Sequence, residues 1–218
     1  GAMVRPALEP PPRLPRGPHR LARHEVEQSQ RARLLIAAAE AVAAKGYVAT
    51  SVADILKGAG VSRTTFYQLF DDKLDCFLAA GRMASDVVAA VITDELARVV
   101  HDDLTPLEKL DHLLGAYLRT LAANPALARV FLVEVYAAGP EAIRQRRESL
   151  DRFVDLIAAT HPDGSTLIGP EPEQRFAAEV LAGAVSSLVT TTVGAGDLDG
   201  IAALHEPLMK LAARLLAT

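Results

Sequence analysis

One stretch of the chain decides the fold, residues 50–70, which read TSVADILKGAGVSRTTFYQLF. Val52, Ile55 and Leu56 recur at the spacing that makes one apolar face of a short helix. Ser51 stands just before them, where its side-chain oxygen caps the free N–H groups that open the helix. Gly60 follows, and because glycine accepts the positive φ angles of a sharp reversal, it predicts the end of that helix.

A second short helix begins after Ser62 and carries polar side chains at its start, while Phe66 and Phe70 supply apolar anchors. Two helices joined by a short glycine turn, with hydrogen-bond donors at the start of the second, are typical of the helix-turn-helix DNA-binding motif. Arg63 is expected to read a base edge, since its guanidinium makes a bidentate contact with guanine. The other predicted DNA contacts, to phosphates or base edges, are Thr50, Ser51, Ser62, Thr64, Thr65, Tyr67, Gln68 and Lys73.

The region from about residue 31 to 77 resembles the DNA-binding half of the TetR family of transcriptional regulators. Three blocks carry the resemblance: AAAEAVAAKGYVATSVADI, AGVSRTTFYQLF and DDKLDCF. The resemblance implies a phosphate contact for Tyr67, a double-stranded operator, and a homodimer whose last two helices form a four-helix bundle. It also implies that a small effector releases the protein from DNA, usually as a repressor. Leu56 departs from the family, which usually has a small residue there, so we expect a slightly altered helix crossing.

Composition predicts an all-α protein of about nine helices. Alanine and leucine are abundant, tryptophan is absent and half of the residues are hydrophobic, which favours helix over sheet. We expect three parts: a disordered arm rich in proline and arginine over residues 1–24, a three-helix DNA-binding domain over 25–71, and a helical bundle for ligand binding and dimerisation over 72–218. The first three residues are typical of the remnant of a cleaved purification tag.

Charge is distributed unevenly along the chain. Residues 1–70 carry ten Lys and Arg against five Asp and Glu, whereas the whole chain has a net charge of −4. A basic end on an acidic remainder is expected where that end meets DNA phosphates. The arginines of the arm either follow the DNA backbone or belong to a solvated tail without a role; they are Arg13, Arg16, Arg20 and Arg23.

Prolines at the first position of a helix mark the starts of the later helices. We expect helices from Pro106 to about 123, from Pro125 to about 139 and from Pro140 to about 160. Before them runs a long fourth helix over about 72–100 with a possible break near Gly81. A loop over 161–171 precedes the last two helices, over about 172–193 and 199–216.

The first of the last two helices, over about 172–193, is apolar nearly all round, so it is either a subunit interface or the central helix of a monomer. The predicted interface residues are Val180, Ala184, Ser187, Leu188, Leu208 and Leu211.

A pocket for a small, largely apolar effector is expected between the middle helices, because helical bundles hold ligands between helices. Its candidate lining residues are Leu113, Tyr117, Leu121, Phe131, Glu134, Val135, Tyr136, Phe153, Ile157 and Phe176. Glu134 is ambiguous, since a carboxylate within an apolar run either selects a ligand or pairs with Arg129 or a neighbouring helix.

Two other functions compete with transcription regulation: a metal-dependent helical enzyme and a helical adaptor that binds partners through its apolar end. The sequence around His101 and His112 offers acidic neighbours but no metal-ligand spacing, and no catalytic or cofactor motif is present, so we predict neither enzyme activity nor a cofactor or metal. A single cysteine fits a reducing cytoplasm. No apolar run reaches the roughly 20 residues of a membrane span, so no membrane association is expected.

Overall fold

The structure, a computed structural model, describes residues 9–13, 23–158 and 171–216. Most of the predicted arm over 1–24 lies outside these residues, as does the predicted loop over 161–171 except for residue 171. The described part is all-α, as predicted, and contains eleven helices rather than about nine. They are α1 (Arg23–Lys45), α2 (Val52–Ala59), α3 (Arg63–Leu69), α4 (Lys73–Val99), α5 (Pro106–Ala123), α6 (Pro125–Leu132), α7 (Val135–Ala138), α8 (Pro140–Ala158), α9 (Pro172–Gly194), α10 (Leu198–Ala203) and α11 (His205–Leu216).

The helix pair α2–α3 forms through the local signals that its sequence carries. Ser51 and Asp54 make a reciprocal capping box at the start of α2, and Gly60 ends the helix in the left-handed region with φ 62°. Ser62 then caps α3 by accepting a hydrogen bond from the Thr65 N–H. Leu34 of α1, Ile55 of α2 and Phe66 of α3 are all at most 1% exposed, so the three helices share one small core.

Helix α4 connects this three-helix unit with the rest of the molecule. Its cap is Asp72, whose carboxylate accepts from the Asp75 N–H at 2.8 Å, one residue later than the sequence indicated. Helix α4 continues through Gly81 without the possible break. The absence of a side chain at Gly81 instead allows α8 to approach α4 closely. The Gln145 side chain of α8 lies so near that a Cβ at Gly81 would be 2.8 Å from its amide nitrogen.

Two expected helices are each divided into two pieces. The helix expected over 125–139 ends at Leu132 and resumes as the single turn α7. The last helix is divided at Leu204 into α10 and α11. Pro207 explains the second division, because proline donates no backbone hydrogen bond and forces a new helix to start within the turn before it.

Two helices, α4 and α9, are more apolar along their length than the sequence indicated. By length and composition alone, α4 and α9 each suffice to cross a membrane, which corrects the expectation that no stretch of the chain does. In α4 56% of the apolar window is buried, as in the core helix of a soluble protein, which passes the same test. Only 22% of the apolar segment of α9 is buried, so burial in the core does not account for the apolar character of this helix.

The single cysteine is sealed inside the core. Cys76 of α4 is 0% exposed, and burial raises the pKa of its thiol from 9.0 to about 12. Because only the thiolate reacts with alkylating reagents, we expect iodoacetamide at pH 8 to leave the folded protein unlabelled and to modify it fully after denaturation. Intact mass measures both; rapid labelling of the native protein would mean that α4 opens near Cys76.

Candidate functional site

Helix α3 presents a polar face to solvent at one end of the molecule. Arg63, Thr64, Tyr67 and Gln68 are exposed and share one face at helical spacing, while Phe66 points into the core. The Tyr67 ring is fixed by edge contact with the Phe66 ring at 5.1 Å between centroids, which leaves about half of the tyrosine accessible. Helix α3 is thus anchored in the core by one face and presents hydrogen-bond donors on the other. This is the geometry that a helix needs to enter a DNA groove.

Three further predicted contact residues lie at this surface, and the hydroxyl groups of two of them, Ser51 and Ser62, cap helices. The Ser51 hydroxyl donates to Asp54 at 2.9 Å, and the Ser62 hydroxyl lies 2.9 Å from that of Thr65. Ser51 and Ser62 remain exposed at the starts of α2 and α3, and Thr65 is half-buried. Their positions therefore keep them beside the polar face of α3.

Two predicted DNA contacts do not fit the surface as expected. Thr50 is 2% exposed and its hydroxyl donates to the Gly46 carbonyl at 2.7 Å, so that side chain lies inside the protein. The Lys73 ammonium donates to the Tyr47 carbonyl at 2.9 Å and sits 4.1 Å from the centre of the Tyr47 ring. Lys73 therefore holds the turn after α1 in place rather than extending freely into solvent.

The turn after α1 also contacts the second half of the chain through Glu134. The Glu134 carboxylate accepts a hydrogen bond from the Tyr47 N–H at 2.9 Å and lies 3.4 Å from the Arg129 guanidinium. Arg129 in turn approaches the carbonyls of Val193 and Gly194, at the end of α9, at 3.4 Å. Of the two readings of Glu134, the pair with Arg129 is confirmed. We name the connection Gly194–Arg129–Glu134–Tyr47 the hinge link.

An apolar cavity of about 100 Å³ lies between α5, α8, α9 and α11 and is touched by α4 through Ile92. Four of the predicted lining residues are present in its wall: Leu113, Tyr117, Phe153 and Ile157. The other twelve residues of the wall were not predicted, and they are Ile92, Leu110, Leu114, Arg146, Leu150, Leu181, Ala182, Val185, Ser186, Leu208, Met209 and Ala212.

Six of the predicted lining residues lie elsewhere. Leu121, Phe131 and Val135 are buried in the packed core outside the cavity wall, and Glu134 belongs to the hinge link. Tyr136 and Phe176 are 62% and 66% exposed, respectively. An apolar helix pattern shows which residues are buried, but not which of them face a void, so ligand contact by these six residues stays a prediction.

Arg146 of α8 is the charged residue of the cavity wall. Its guanidinium donates to the Ser186 hydroxyl and lies 4.5 Å from the centre of the Phe131 ring. Burial lowers the pKa of Arg146 and raises the pKa of Tyr117 to about 12. A hint was present in the sequence, since residue 146 falls on the inward face of an amphipathic helix together with Ala142, Ser149 and Phe153.

The outer face of α9 carries an exposed apolar stripe. Phe176, Val180, Ala184 and Leu188 are four residues apart, so they lie on one side of the helix, with Ser187 beside them. Phe176, Val180 and Leu188 are between 43% and 66% exposed, and Leu211 of α11 is 40% exposed. These five residues of α9 form the α9 stripe. Leu208, predicted for the same interface, is instead 2% exposed and lines the cavity.

The acidic and histidine residues considered for a metal site are separated into pairs. Asp111 bonds His205 at 2.6 Å, and His112 lies 3.6 Å from Glu95. Among the described residues, no group of three or more His, Cys, Asp or Glu side chains is placed to hold a metal ion.

Comparison with known proteins identifies the three-helix unit. The family model for bacterial regulatory proteins of the TetR family matches residues 34–80, a span that begins in α1 and runs through α2 and α3 into α4. These 47 residues, about a fifth of the chain, are similar to TetR-family regulators. The chain's relatives in this family are transcription regulators and not enzymes.

Individual relatives extend the likeness beyond the matched region. A transcriptional activator of Mycolicibacterium smegmatis, FasR, is 38% identical over 143 residues, which cover 66% of this chain and 64% of FasR, less than two thirds of its length. The fatty acid degradation regulator FadR from Bacillus halodurans has a TM-score of 0.70 at 24% identity, covering 84% of this chain and 94% of its own. FadR from Bacillus subtilis, solved with stearoyl-CoA, has a TM-score of 0.67 at 24% identity, covering 83% and 96%.

The structural likeness includes the helices that enclose the cavity, because it covers more than four fifths of this chain. At these identities the likeness establishes the fold of the second half. The likeness does not extend to the identities of the residues that form the cavity wall and the α9 stripe.

Proposed function

We propose that the protein is a TetR-family regulator that binds a palindromic operator as a homodimer, and that a fatty-acid-derived effector, bound in the apolar cavity, weakens that binding. Residues 25–71 contact DNA, and residues 72–218 bind the effector and the second subunit. The single observation that carries the proposal is the combination of an exposed polar face on α3 with an apolar cavity whose wall includes Ile92 of α4. A DNA-binding role places the protein in the cytoplasm.

The DNA contacts follow from the exposure of α3. Arg63 reads a guanine, Thr64 and Gln68 reach base edges or phosphates, and Tyr67 contacts a phosphate. Ser51, Ser62 and Thr65 assist at the helix starts, where backbone N–H groups point toward DNA phosphates. Arg13 adds a basic group beside this surface, because its guanidinium lies against Gly60 in the turn between α2 and α3.

The second subunit is expected on the α9 stripe. A soluble monomer seldom leaves contiguous large apolar side chains in water, and such surfaces mark interfaces. A two-fold axis beside α9 pairs the stripe with itself, so two α3 helices face DNA about 34 Å apart, one turn of the duplex. Leu211 extends the same surface from α11, whereas Leu208 takes no part in it.

The effector class follows from the cavity and from the relatives. The wall is apolar except at Arg146, Tyr117 and Ser186, which suits an amphiphile with a long hydrocarbon tail. The relatives named for fatty acids, one of them bound to stearoyl-CoA, support the same class. No metal or other cofactor has a role in this proposal.

Two connections transmit occupancy of the cavity to the DNA-binding helices. The cavity is small for a complete acyl chain, so a bound tail must displace its walls, including Ile92 of α4. Helix α4 is continuous from Lys73, beside the three-helix unit, to Val99. The hinge link provides a second connection, from the end of α9 to the turn after α1. The effector weakens DNA binding to the extent that it prefers the displaced arrangement.

The proposal is tested with DNA that flanks the protein's own gene. Fluorescence anisotropy should show saturable binding of the labelled fragment, competed poorly by unrelated DNA. Addition of stearoyl-CoA should raise the apparent Kd by about 5- to 150-fold, the usual range of allosteric coupling. The absence of preferential DNA binding would refute the regulator assignment, and DNA binding indifferent to long-chain acyl compounds would refute the effector class.

Arg63 provides a prediction for sequence preference. We expect Arg63→Ala to reduce discrimination against a mutated guanine by about 1–3 kcal/mol, because the bidentate contact is lost. Lys57→Ala serves as the control, since Lys57 is also exposed and basic but lies at the end of α2. It should lower affinity for all sequences alike. Equal losses of discrimination in the two variants would show that Arg63 contacts only phosphates.

Activation of transcription is the second candidate outcome, because the relative with 38% identity is named as an activator. A reporter gene behind the operator separates the two outcomes. Deletion of the regulator should raise expression if it represses and lower expression if it activates. The DNA and effector contacts proposed above are the same in both cases.

A further inference from the structure

We propose that Arg146, with Tyr117 and Ser186, forms a binding subsite for the negatively charged head group of an amphiphile whose tail occupies the apolar cavity. The proposal rests on the function proposed above and adds the charge and the orientation of the effector. The tail points inward among α4, α5 and α11, and the head lies between α8 and α9.

The charge of Arg146 is not balanced by the residues around it. Arg146 is 9% exposed. Among the described residues, no ion pair joins its guanidinium to a carboxylate. Its neighbours are the neutral Ser186 hydroxyl and the face of the Phe131 ring. A buried cation without a counter-ion is costly, whereas carboxylate or phosphate oxygens pair with a guanidinium in a bidentate manner.

The Tyr117 hydroxyl provides a second donor for the same head group. Tyr117 lines the cavity, is close enough to Arg146 to interact with it electrostatically, and makes no hydrogen bond to another described residue. A phenol that remains protonated donates a hydrogen bond to an anion. Two donors of different helices, α5 and α8, thus belong to one otherwise apolar wall.

The position of Arg146 also defines the entrance. A second, polar groove of about 390 Å³ lies on the outside between α8 and α9. Arg146, Leu150 and Ser186 belong to the walls of both the groove and the cavity. The outer groove has the rim residues Tyr136, Arg147, Asp151 and Glu179. A ligand that passes from the groove into the cavity must therefore move past the guanidinium of Arg146.

Direct binding to the full-length dimer, measured by calorimetry without DNA, tests the subsite. Three ligands share one tail: dodecanoate, its neutral methyl ester, and dodecanoyl-CoA. In Arg146→Met, which keeps the length of the apolar stem, we expect at least one charged ligand to bind about 10- to 100-fold more weakly, because a charge-assisted hydrogen bond is lost. The affinity for the methyl ester should change by less than about threefold.

Matched variants separate charge from folding. Arg144→Met removes the same charge from an exposed position of α8 that belongs to neither the cavity nor the groove, and should leave the ratio of dodecanoate to ester affinity unchanged. Arg146→Lys retains the positive charge and should retain a preference for the charged ligand even if the melting temperature falls. A loss confined to dodecanoate identifies a carboxylate as the natural head group, and a loss confined to dodecanoyl-CoA identifies a phosphate.

Several outcomes would overturn the subsite. Equal weakening of ester and charged ligands in Arg146→Met would make Arg146 a structural residue. An unchanged preference for both charged ligands would exclude it from the head-group contact. If none of the three ligands binds the wild-type protein, the subsite and the fatty-acid effector fall together, while operator binding is measured independently and stands or falls by itself.

Discussion

Leu188→Asp is expected to convert the proposed dimer into a monomer and to weaken operator binding by about 100-fold or more. Leu188 is 45% exposed on the α9 stripe and contributes apolar surface to the proposed two-fold interface. At a symmetric interface the substitution acts twice and places two carboxylates in an apolar contact, which is unfavourable unless each is paired. A single subunit then holds one half-site, and the gain of 10²–10⁴ from simultaneous binding of two linked sites disappears.

A control for this experiment is available on the neighbouring helix. Leu198 of α10 is 43% exposed, nearly the same as Leu188, but lies outside the α9 stripe. Leu198→Asp should leave both the dimer and the DNA affinity intact. Light scattering coupled to size exclusion gives the mass, and circular dichroism verifies that both variants remain helical. A Leu188→Asp protein that stays dimeric at micromolar concentration would place the interface elsewhere on the molecule.

The part of the fold that could be predicted is the part governed by local signals. Ser51, Gly60 and Ser62 act within three or four residues of their own positions, so the bounds of α2 and α3 were readable from the sequence. The same holds for the helix starts at Pro106, Pro125 and Pro140. Where a second helix determines the outcome, the sequence was insufficient: Gly81 resembles a helix breaker until α8 is seen to pack against it.

The functional surfaces show the same division. The polar face of α3 follows from helical periodicity alone, whereas the hydrogen bonds that hold Thr50 to Gly46 and Lys73 to Tyr47 are not evident from it. The cavity depends on gaps between five helices, which no single helix pattern specifies. Arg146 was overlooked because an arginine within RQRRES is usually solvated, and only the packing of α8 against α9 buries it.

The hinge link leads to the second prediction, that Glu134→Ala uncouples the effector from DNA. Glu134 is buried to 8% exposure and is the direct bond between the turn after α1 and the helices beyond α5. Its removal deprives the Tyr47 N–H and Arg129 of an acceptor, which should lower the free energy of unfolding by about 1–3 kcal/mol. Effector affinity should persist, because the cavity wall does not include Glu134.

The decisive quantity is the ratio of operator Kd with effector to operator Kd without it. In Glu134→Ala we expect this ratio to fall at least about threefold, a large part of a coupling that usually amounts to 5- to 150-fold. Glu134→Gln retains an oxygen for the Tyr47 N–H but no charge for Arg129, so it shows which of the two bonds carries the coupling. The ratio is measured by anisotropy titrations at saturating effector.

Glu95→Ala distinguishes coupling from a general loss of stability. The Glu95 side chain is 10% exposed, like that of Glu134, and is paired with Arg98 at 2.6 Å. It lies near the far end of α4 from the DNA-binding helices, so its removal should cost similar stability without changing the effector ratio. If Glu95→Ala and Glu134→Ala reduce the ratio equally, α4 transmits the signal and the hinge link merely holds the fold. If only Glu134→Ala reduces it, the effector acts on DNA through the Tyr47 backbone, and the position of α3 depends on a single carboxylate.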